Sequence, residues 1–184
     1  MDVIEAWAES QDFQLRLDSK GKIIDYFDEE IRRENKPEER VRQKMACILH
    51  KDFRYPINVI SLEKTIKIGV ENKRADIVIY RTPFDKKVNN QGGIFLIAEI
   101  KEPDGQLISY ISASSAEGGL WTNGENIVYY KRNSDNTIEE YISIPKYGEP
   151  WDAIGKHKKS DLIVPIDLKL TFRRCHNAMF RAGI

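Results

Sequence analysis

The chain has 184 residues, and its 29 basic and 29 acidic side chains give a formal net charge of zero at neutral pH. A chain of this length forms one domain that buries about 70% of its unfolded surface. Balanced charge gives no overall positive field toward nucleic acid, so we expect the isolated chain to bind DNA weakly.

Several classes of protein are excluded by what the sequence lacks. No apolar run approaches the roughly 20 residues of a membrane span, and the start at Met1 lacks the basic region of a signal peptide. We therefore expect no membrane partner and a cytoplasmic location. The two cysteines, Cys47 and Cys175, predict no disulfide framework. No P-loop motif is present, so a motor, if the full-length protein has one, is expected beyond Ile184.

The first third of the chain predicts short elements followed by a longer helix. An amphipathic segment begins near Ile4, and residues 13–17 read as strand-like. Pro37 fits the first turn of a helix, and the two glutamates after it carry the negative charge that a helix N-terminus favours. This helix is predicted to end near His50.

The middle of the chain predicts two strands that end in charged residues. Apolar runs cover residues 77–80 and 94–98; Asp76 comes directly before the first, and Glu99 and Lys101 follow the second. Alternation along a strand sends Glu99 and Lys101 to the same face. Charges at these positions are not explained by stability alone, so they mark a candidate site.

These two strands are expected to pair as an antiparallel hairpin. If the polar residues 86–93 close it, a register centred between Lys87 and Val88 places Asp76 opposite Glu99. Two neighbouring carboxylates destabilise each other unless a cation lies between them. A small set of oxygen ligands favours Mg²⁺.

The segment after this triplet predicts a helix and further strands. A helix from Gln106 to about Ala116 would place Gln106 and Tyr110 on one helix face, because they are four residues apart. Strands are predicted at residues 127–130 and 137–144. The order of elements predicts an α/β (α+β) fold, with a mixed central sheet flanked by helices.

The composition changes near the end of the chain. Residues 145–160 are loop-like, and residues 168–184 predict a helix. Apart from Gly183, this helix lacks the cap, glycine or proline residues that would close a domain. We expect one domain over residues 1–150. Residues 151–184 would be a linker and the helical start of a following domain in a larger protein.

Asp76, Glu99 and Lys101 resemble the core of the PD-(D/E)xK nuclease superfamily, with Ala75 in place of the eponymous proline. The motif is short, and a surface ion-pair cluster would show the same three residues. The flanking sequence is therefore needed to distinguish a nuclease motif from a surface ion-pair cluster.

Three flanking segments resemble one subgroup of these nucleases. Gln-x-x-x-Tyr at residues 106–110 is similar to a motif of the subgroup that includes type I restriction enzyme R subunits. Residues 37–43, Pro-Glu-Glu-Arg-Val-Arg-Gln, look like the family's opening helix, and Thr122-Asn123-Gly124 resembles a later segment. The segments occur in the family's order, so the chain resembles the N-terminal endonuclease domain of a type I R subunit.

The resemblance implies a restriction-endonuclease-like fold and the activity of a type I site-specific deoxyribonuclease. It implies Mg²⁺, with Mn²⁺ as an alternative, held by Asp76, Glu99 and the backbone carbonyl of Ile100. The expected catalytic residues are Asp76, Glu99, Lys101, Glu39, Gln106 and Tyr110. The candidate DNA contacts are Arg42, Thr122 and Asn123.

Alternatives remain open for single residues. Glu39 also has a structural explanation in the first turn of a helix, and Asn123 before glycine is common in tight turns. Lys101 would stabilise the phosphate, orient the attacking water or act as a base.

The resemblance also implies partners. These are double-stranded DNA and the methyltransferase and specificity subunits of a restriction-modification complex, with ATP bound only by a motor outside this chain. Cleavage would be nonspecific and would follow translocation. The competing interpretations are a free-standing nuclease of DNA repair or of a mobile element, and a noncatalytic module that docks nucleic acid or protein.

Overall fold

The computed structural model describes residues 3–10, 13–100 and 106–154. The predicted catalytic Lys101 and the helix predicted at residues 168–184 lie outside these ranges. The structural statements below concern the described residues.

The described segments form four α-helices and eight strands. The α-helices are α1 (Val3–Ser10), α2 (Pro37–Lys51), α3 (Pro83–Lys87) and α4 (Gln106–Ala113). The strands are β1 (Ile23–Ile24), β2 (Arg32–Arg33), β3 (Ile60–Ile68), β4 (Glu71–Tyr80), β5 (Ile94–Ile100), β6 (Gly118–Thr122), β7 (Ile127–Arg132) and β8 (Ile138–Tyr141). Short 3-10 turns lie at Ile57–Val59, Gln91–Gly93 and Trp151–Ala153.

A six-stranded sheet in the order β3-β4-β5-β6-β7-β8 forms the centre of the fold, and β1 and β2 form a separate two-stranded ribbon. β5 and β6 are parallel, and the other neighbours in the large sheet are antiparallel. The parallel pair is joined by a crossover through α4, as parallel strands require. The predicted mixed sheet with flanking helices is confirmed.

The register between β4 and β5 is the one that the sequence predicted. Ile77 pairs with Ala98, which leaves Asp76 and Glu99 as the next residues along their strands. Further along, the register shifts between Ile79 and Tyr80.

Each face of the sheet carries its own apolar core. On one face, Met45 and Leu49 of α2 pack with Ile77 and Leu96. On the other face, Leu107 and Ile111 of α4 pack with Val78 and Ile97. β4 and β5 thus alternate between two buried faces, which explains their almost uninterrupted apolar runs. Helices on both sides of the sheet can therefore reach the ends of these strands.

Some local predictions were wrong. Residues 13–17 do not form a strand: Leu17 makes a single bridge to Ile23, and its side chain is exposed. Asp18 instead accepts the backbone N–H groups of Lys20 and Lys22, which closes a turn.

Other predicted elements are present but shorter. The helix that begins at Gln106 ends at Ala113, and the last predicted strand covers Ile138–Tyr141. Packing continues beyond residue 150, because Trp151 lies buried in the core. Within the described ranges, no helix is both long and apolar enough to cross a membrane.

Candidate active site

Asp76 and Glu99 meet where β4 and β5 run side by side. The backbone N–H of Ile100 donates to Asp76 Oδ2 at 2.7 Å, and the backbone N–H of Asp76 lies 3.4 Å from Glu99 Oε1. Each carboxylate thus accepts a hydrogen bond from the neighbouring strand. Asp76 is 7% exposed and Glu99 is 1% exposed, so the structure places both acids in a region that excludes water.

Arg42 of α2 approaches the same site from the helix. Its Nη2 atom donates to Asp76 Oδ1 and to Glu38 Oε1, both at 2.8 Å, and its Nη1 atom donates to Glu39. Glu38 and Glu39 lie four and three positions before Arg42, so both can reach it along the helix surface. Burial alone would lower the pKa of Arg42, but attraction to Asp76 and then Glu39 raises it above its usual value.

Glu39 reaches the site through this arginine. It is buried, and its Oε1 atom accepts from Gln43 Nε2 at 2.8 Å. Burial raises the pKa of Glu39 above its usual range, because the hydrogen bond from Gln43 and the nearby guanidinium groups only partly offset the lost water. Glu39 thus lies in the same cluster as Asp76, as the family resemblance implied, and its catalytic role stays a prediction.

Gln106 and Tyr110 contact the site from α4, on the other side of the sheet. The Gln106 Nε2 atom donates to Glu99 Oε2 at 3.3 Å and also to the Tyr110 hydroxyl oxygen. The shared helix face predicted from their spacing is confirmed. Because an amide nitrogen carries two hydrogens, these two contacts fix its orientation and with it the Glu99 carboxylate.

Arg33 belongs to the same polar network, although no motif in the amino-acid sequence predicted this residue to lie near the site. Its Nε atom donates to Asp25 and its Nη1 atom to Glu63, and the Nε atom lies 3.5 Å from Glu39 Oε1. The pairing of β1 with β2 holds Arg33 opposite Ile23 and so brings this side chain to α2. The ribbon thereby ties the first part of the chain to the candidate site.

Glu63 has an unusual backbone. Its φ angle is +49°, although it lies within β3. Its neighbours Leu62 and Lys64 pair with Ile77 and Ala75, which puts the distorted residue beside Asp76. Non-glycine residues seldom adopt this conformation, and such distortions gather at functional sites. The positive φ angle of Glu63 could not be predicted from the amino-acid sequence.

Thr122 and Asn123 form a turn. The Thr122 hydroxyl donates to the Asn126 carbonyl at 2.7 Å and accepts from the Gly124 N–H, and its side chain is fully buried. Asn123 Oδ1 accepts the N–H groups of Glu125 and Asn126. These contacts explain the local sequence, and contact of either side chain with DNA stays a prediction.

A cavity of about 460 Å³ adjoins the Arg42 side of the cluster. Both basic and acidic side chains line it, so it has no strong charge of one sign. The residues that line it are Ile31, Arg32, Arg33, Glu34, Lys36, Glu38, Glu39, Arg42, Glu63 and Arg74.

The candidate site offers the carboxylate oxygens of Asp76 and Glu99, which are the type of donor atom that a hard divalent cation prefers. In the described part of the chain, no three His, Cys, Asp or Glu side chains form a complete metal site. A cation would therefore use the Asp76 and Glu99 carboxylates and complete its coordination with a backbone carbonyl and water. Mg²⁺ commonly takes one or two protein carboxylates and keeps several waters. Arg42 already shows that Asp76 accepts a cationic partner.

The six-stranded mixed sheet flanked by helices is consistent with a restriction-endonuclease-like fold. A family model for the N terminus of the type I restriction enzyme R protein matches residues 37–145. The chain belongs to this family. The matched range contains every predicted site residue, whereas Asp25 and Arg33 lie before it. Searches of curated proteins and of solved structures gave no match.

Proposed function

We propose that this chain is the Mg²⁺-dependent DNA endonuclease domain of a type I restriction enzyme R subunit. It would hydrolyse phosphodiester bonds without local sequence preference, after ATP-driven translocation by a motor outside these residues. The observation that carries the proposal is a pair of hydrogen bonds between β4 and β5, from Asp76 N–H to the Glu99 carboxylate and from Ile100 N–H to the Asp76 carboxylate, which holds two buried carboxylates at one point of the sheet.

In the proposed site, some residues would bind the metal ion and others position the residues that bind it. Asp76 and Glu99 would hold Mg²⁺ together with the carbonyl of Ile100. When bound, the cation would polarise the scissile phosphate and lower the pKa of a bound water. Gln106 holds the Glu99 carboxylate in place, and Tyr110 fixes the Gln106 amide. Strands and helices, rather than loops, thus supply these groups.

The family resemblance also assigns Lys101 to the proposed site. It lies two residues after Glu99 in the sequence, so alternation assigns it to the same face if the strand continues. A lysine there would stabilise charge on the phosphate or orient the attacking water. Its role stays a prediction.

The charge of the chain supports a division of labour within the restriction complex. Equal numbers of acidic and basic residues, and a cavity lined by both, give little electrostatic attraction to duplex DNA. The specificity subunit would then recognise the sequence, the motor would bring DNA to this domain, and the methyltransferase subunit would complete the complex.

The proposal is tested in the assembled restriction complex with isosteric variants. Asp76→Asn and Glu99→Gln should each abolish cleavage of plasmid DNA with Mg²⁺ present, while ATP hydrolysis continues because the motor lies elsewhere. Glu71→Gln is the matched control, since it changes an exposed carboxylate on the same strand as Asp76. Undiminished cleavage by either site variant would exclude that residue from the active site.

One observation favours a noncatalytic docking module as a second candidate. Asp76 already has a buried cationic partner in Arg42, so this pair could be purely structural. Calorimetry with Mn²⁺ separates the two functions: a catalytic domain binds the metal through Asp76, whereas a docking module does not.

A further inference from the structure

We propose that Arg42 competes with the metal ion for Asp76. In the metal-free domain, its guanidinium group holds the place of the cation, and it leaves Asp76 Oδ1 when the metal binds. The inference rests on the proposed function, because it assumes a cation at Asp76 and Glu99.

The first argument is the contact itself. Arg42 Nη2 lies 2.8 Å from Asp76 Oδ1, and the two side chains are only 5% and 9% exposed. The other carboxylate oxygen of Asp76 accepts the Ile100 N–H, so an incoming cation meets the guanidinium at Oδ1. Like charges interact strongly where water is excluded, so the metal and Arg42 oppose each other's binding.

The second argument is that Arg42 has another place to go. Glu38, Glu39 and Glu63 all lie within 3.6 Å of its guanidinium nitrogens. Arg42 and these three glutamates also line the cavity of about 460 Å³. The guanidinium can therefore move away from Asp76 toward open space and still keep carboxylate partners.

The third argument is that the present position of Arg42 is incomplete. Among the described residues, its buried Nε atom has no hydrogen-bond partner. Buried donors are nearly always paired, so this arrangement leaves one donor unsatisfied. A displaced guanidinium in the cavity would regain water or a ligand oxygen for that atom.

The cavity also suggests what would draw Arg42 away. Arginine pairs well with phosphate oxygens, so a DNA phosphate in the cavity would replace Asp76 as its partner. Removal of Arg42 from Asp76 would then strengthen metal binding. By linkage, metal would strengthen DNA binding by the same factor. The domain would therefore load its metal mainly when DNA is present.

The test measures Mn²⁺ affinity of the 184-residue chain by calorimetry. Arg42→Met removes the competing charge and should tighten Mn²⁺ binding by about tenfold or more. Arg40→Met is the control, because Arg40 lies on the same helix but is exposed and bonds Asn35. Its affinity should equal that of the wild type. Asp76→Asn should lose the binding.

The outcomes separate the inference from the proposed function. If Asp76→Asn binds Mn²⁺ as well as the wild type, the proposed metal site is wrong. If Asp76→Asn loses binding but Arg42→Met binds no tighter than the wild type, the site stands and the competition is overturned. Circular dichroism first checks that each variant folds. If Arg42→Met does not fold, Arg42→Gln decides, because it also removes the charge but keeps a polar side chain: tighter binding supports competition, and unchanged or weaker binding overturns it.

A second titration tests the coupling to DNA. A saturating duplex oligonucleotide should tighten Mn²⁺ binding to the wild type, but it should have a much smaller effect on Arg42→Met, from which the competitor is already absent. Equal tightening in both proteins would overturn the coupling through Arg42.

Discussion

Arg33 joins three carboxylates, and its replacement by methionine should strongly destabilise the domain. Its side chain is 12% exposed, its Nε atom bonds Asp25 and lies 3.5 Å from Glu39, and its Nη1 atom bonds Glu63. Burial alone would lower the pKa of Arg33, but the hydrogen bond and attraction to Asp25 raise it above its usual value. The folded state therefore favours the charged guanidinium in spite of the lost water.

The expected loss in the free energy of unfolding follows from these contacts. Removal of one partner from a buried ion pair costs about 3–5 kcal/mol. Asp25 keeps the N–H groups of Phe27 and Asp28 as donors, and the Glu63 side chain is 30% exposed, so part of this cost is avoided. We expect Arg33→Met to lose about 2–4 kcal/mol. For a chain of this size, that loss lowers Tm by about 4–16 °C.

Urea denaturation followed by circular dichroism measures the effect. The matched control is Arg32→Met, the neighbouring residue on β2, whose side chain is 38% exposed and whose partner Asp18 lies 3.6 Å away. This pair is long and its arginine is exposed, so it should contribute less than about 1 kcal/mol. The double variant Arg33→Met/Asp25→Asn should lose less than the sum of the single losses, because the two residues interact directly. Equal stability of the Arg33 and Arg32 variants would refute the network argument.

Three further outcomes are expected. Gln106→Leu removes the amide that donates to Glu99, so calorimetry should show Mn²⁺ affinity reduced by about 10–100-fold; an unchanged affinity would exclude the supporting role. Tyr55→Phe removes a buried hydroxyl that donates to the Pro145 carbonyl at 2.7 Å, and urea denaturation should show a loss of about 1–2 kcal/mol. A variant as stable as the wild type would contradict that. Duplex DNA titrated with the isolated chain at physiological salt should give a Kd at the weak end of about 10⁻⁴–10⁻⁶ M, whereas nanomolar, sequence-selective binding would contradict the division of labour.

The central hairpin could be predicted because its determinants are local. A slip of one residue between β4 and β5 would turn Ile77 and Ala98 to the wrong faces, so the apolar runs allow few registers. The start of α2 was equally clear, because Pro37 and the following glutamates are typical of a helix N-terminus. The positions of Asp76 and Glu99 follow directly from the register.

The ion-pair network could not be predicted in this way. Arg33 bonds a carboxylate 30 positions away, and Arg42 bonds one 34 positions away. Periodicity describes one element at a time, whereas these contacts depend on how the β1–β2 ribbon and α2 lie against the sheet. The positive φ angle of Glu63 could not be predicted either, because its residue type gives no preference for it.

The register shift at Tyr80 has a practical consequence for labelling this domain. Ile79 pairs with Leu96 but Tyr80 pairs with Ile94, so Phe95 is the extra residue of β5. Asp76 lies four residues before Tyr80 along β4, a separation of about 13 Å in an extended strand. We therefore expect a change in the length of the connection after Tyr80 to alter the strand pairing only on the Tyr80 side of the register shift, away from the carboxylates. We also expect a fluorescent reporter attached to the side chain of the exposed Val88 in that connection, after its replacement by cysteine, to leave the carboxylates in register.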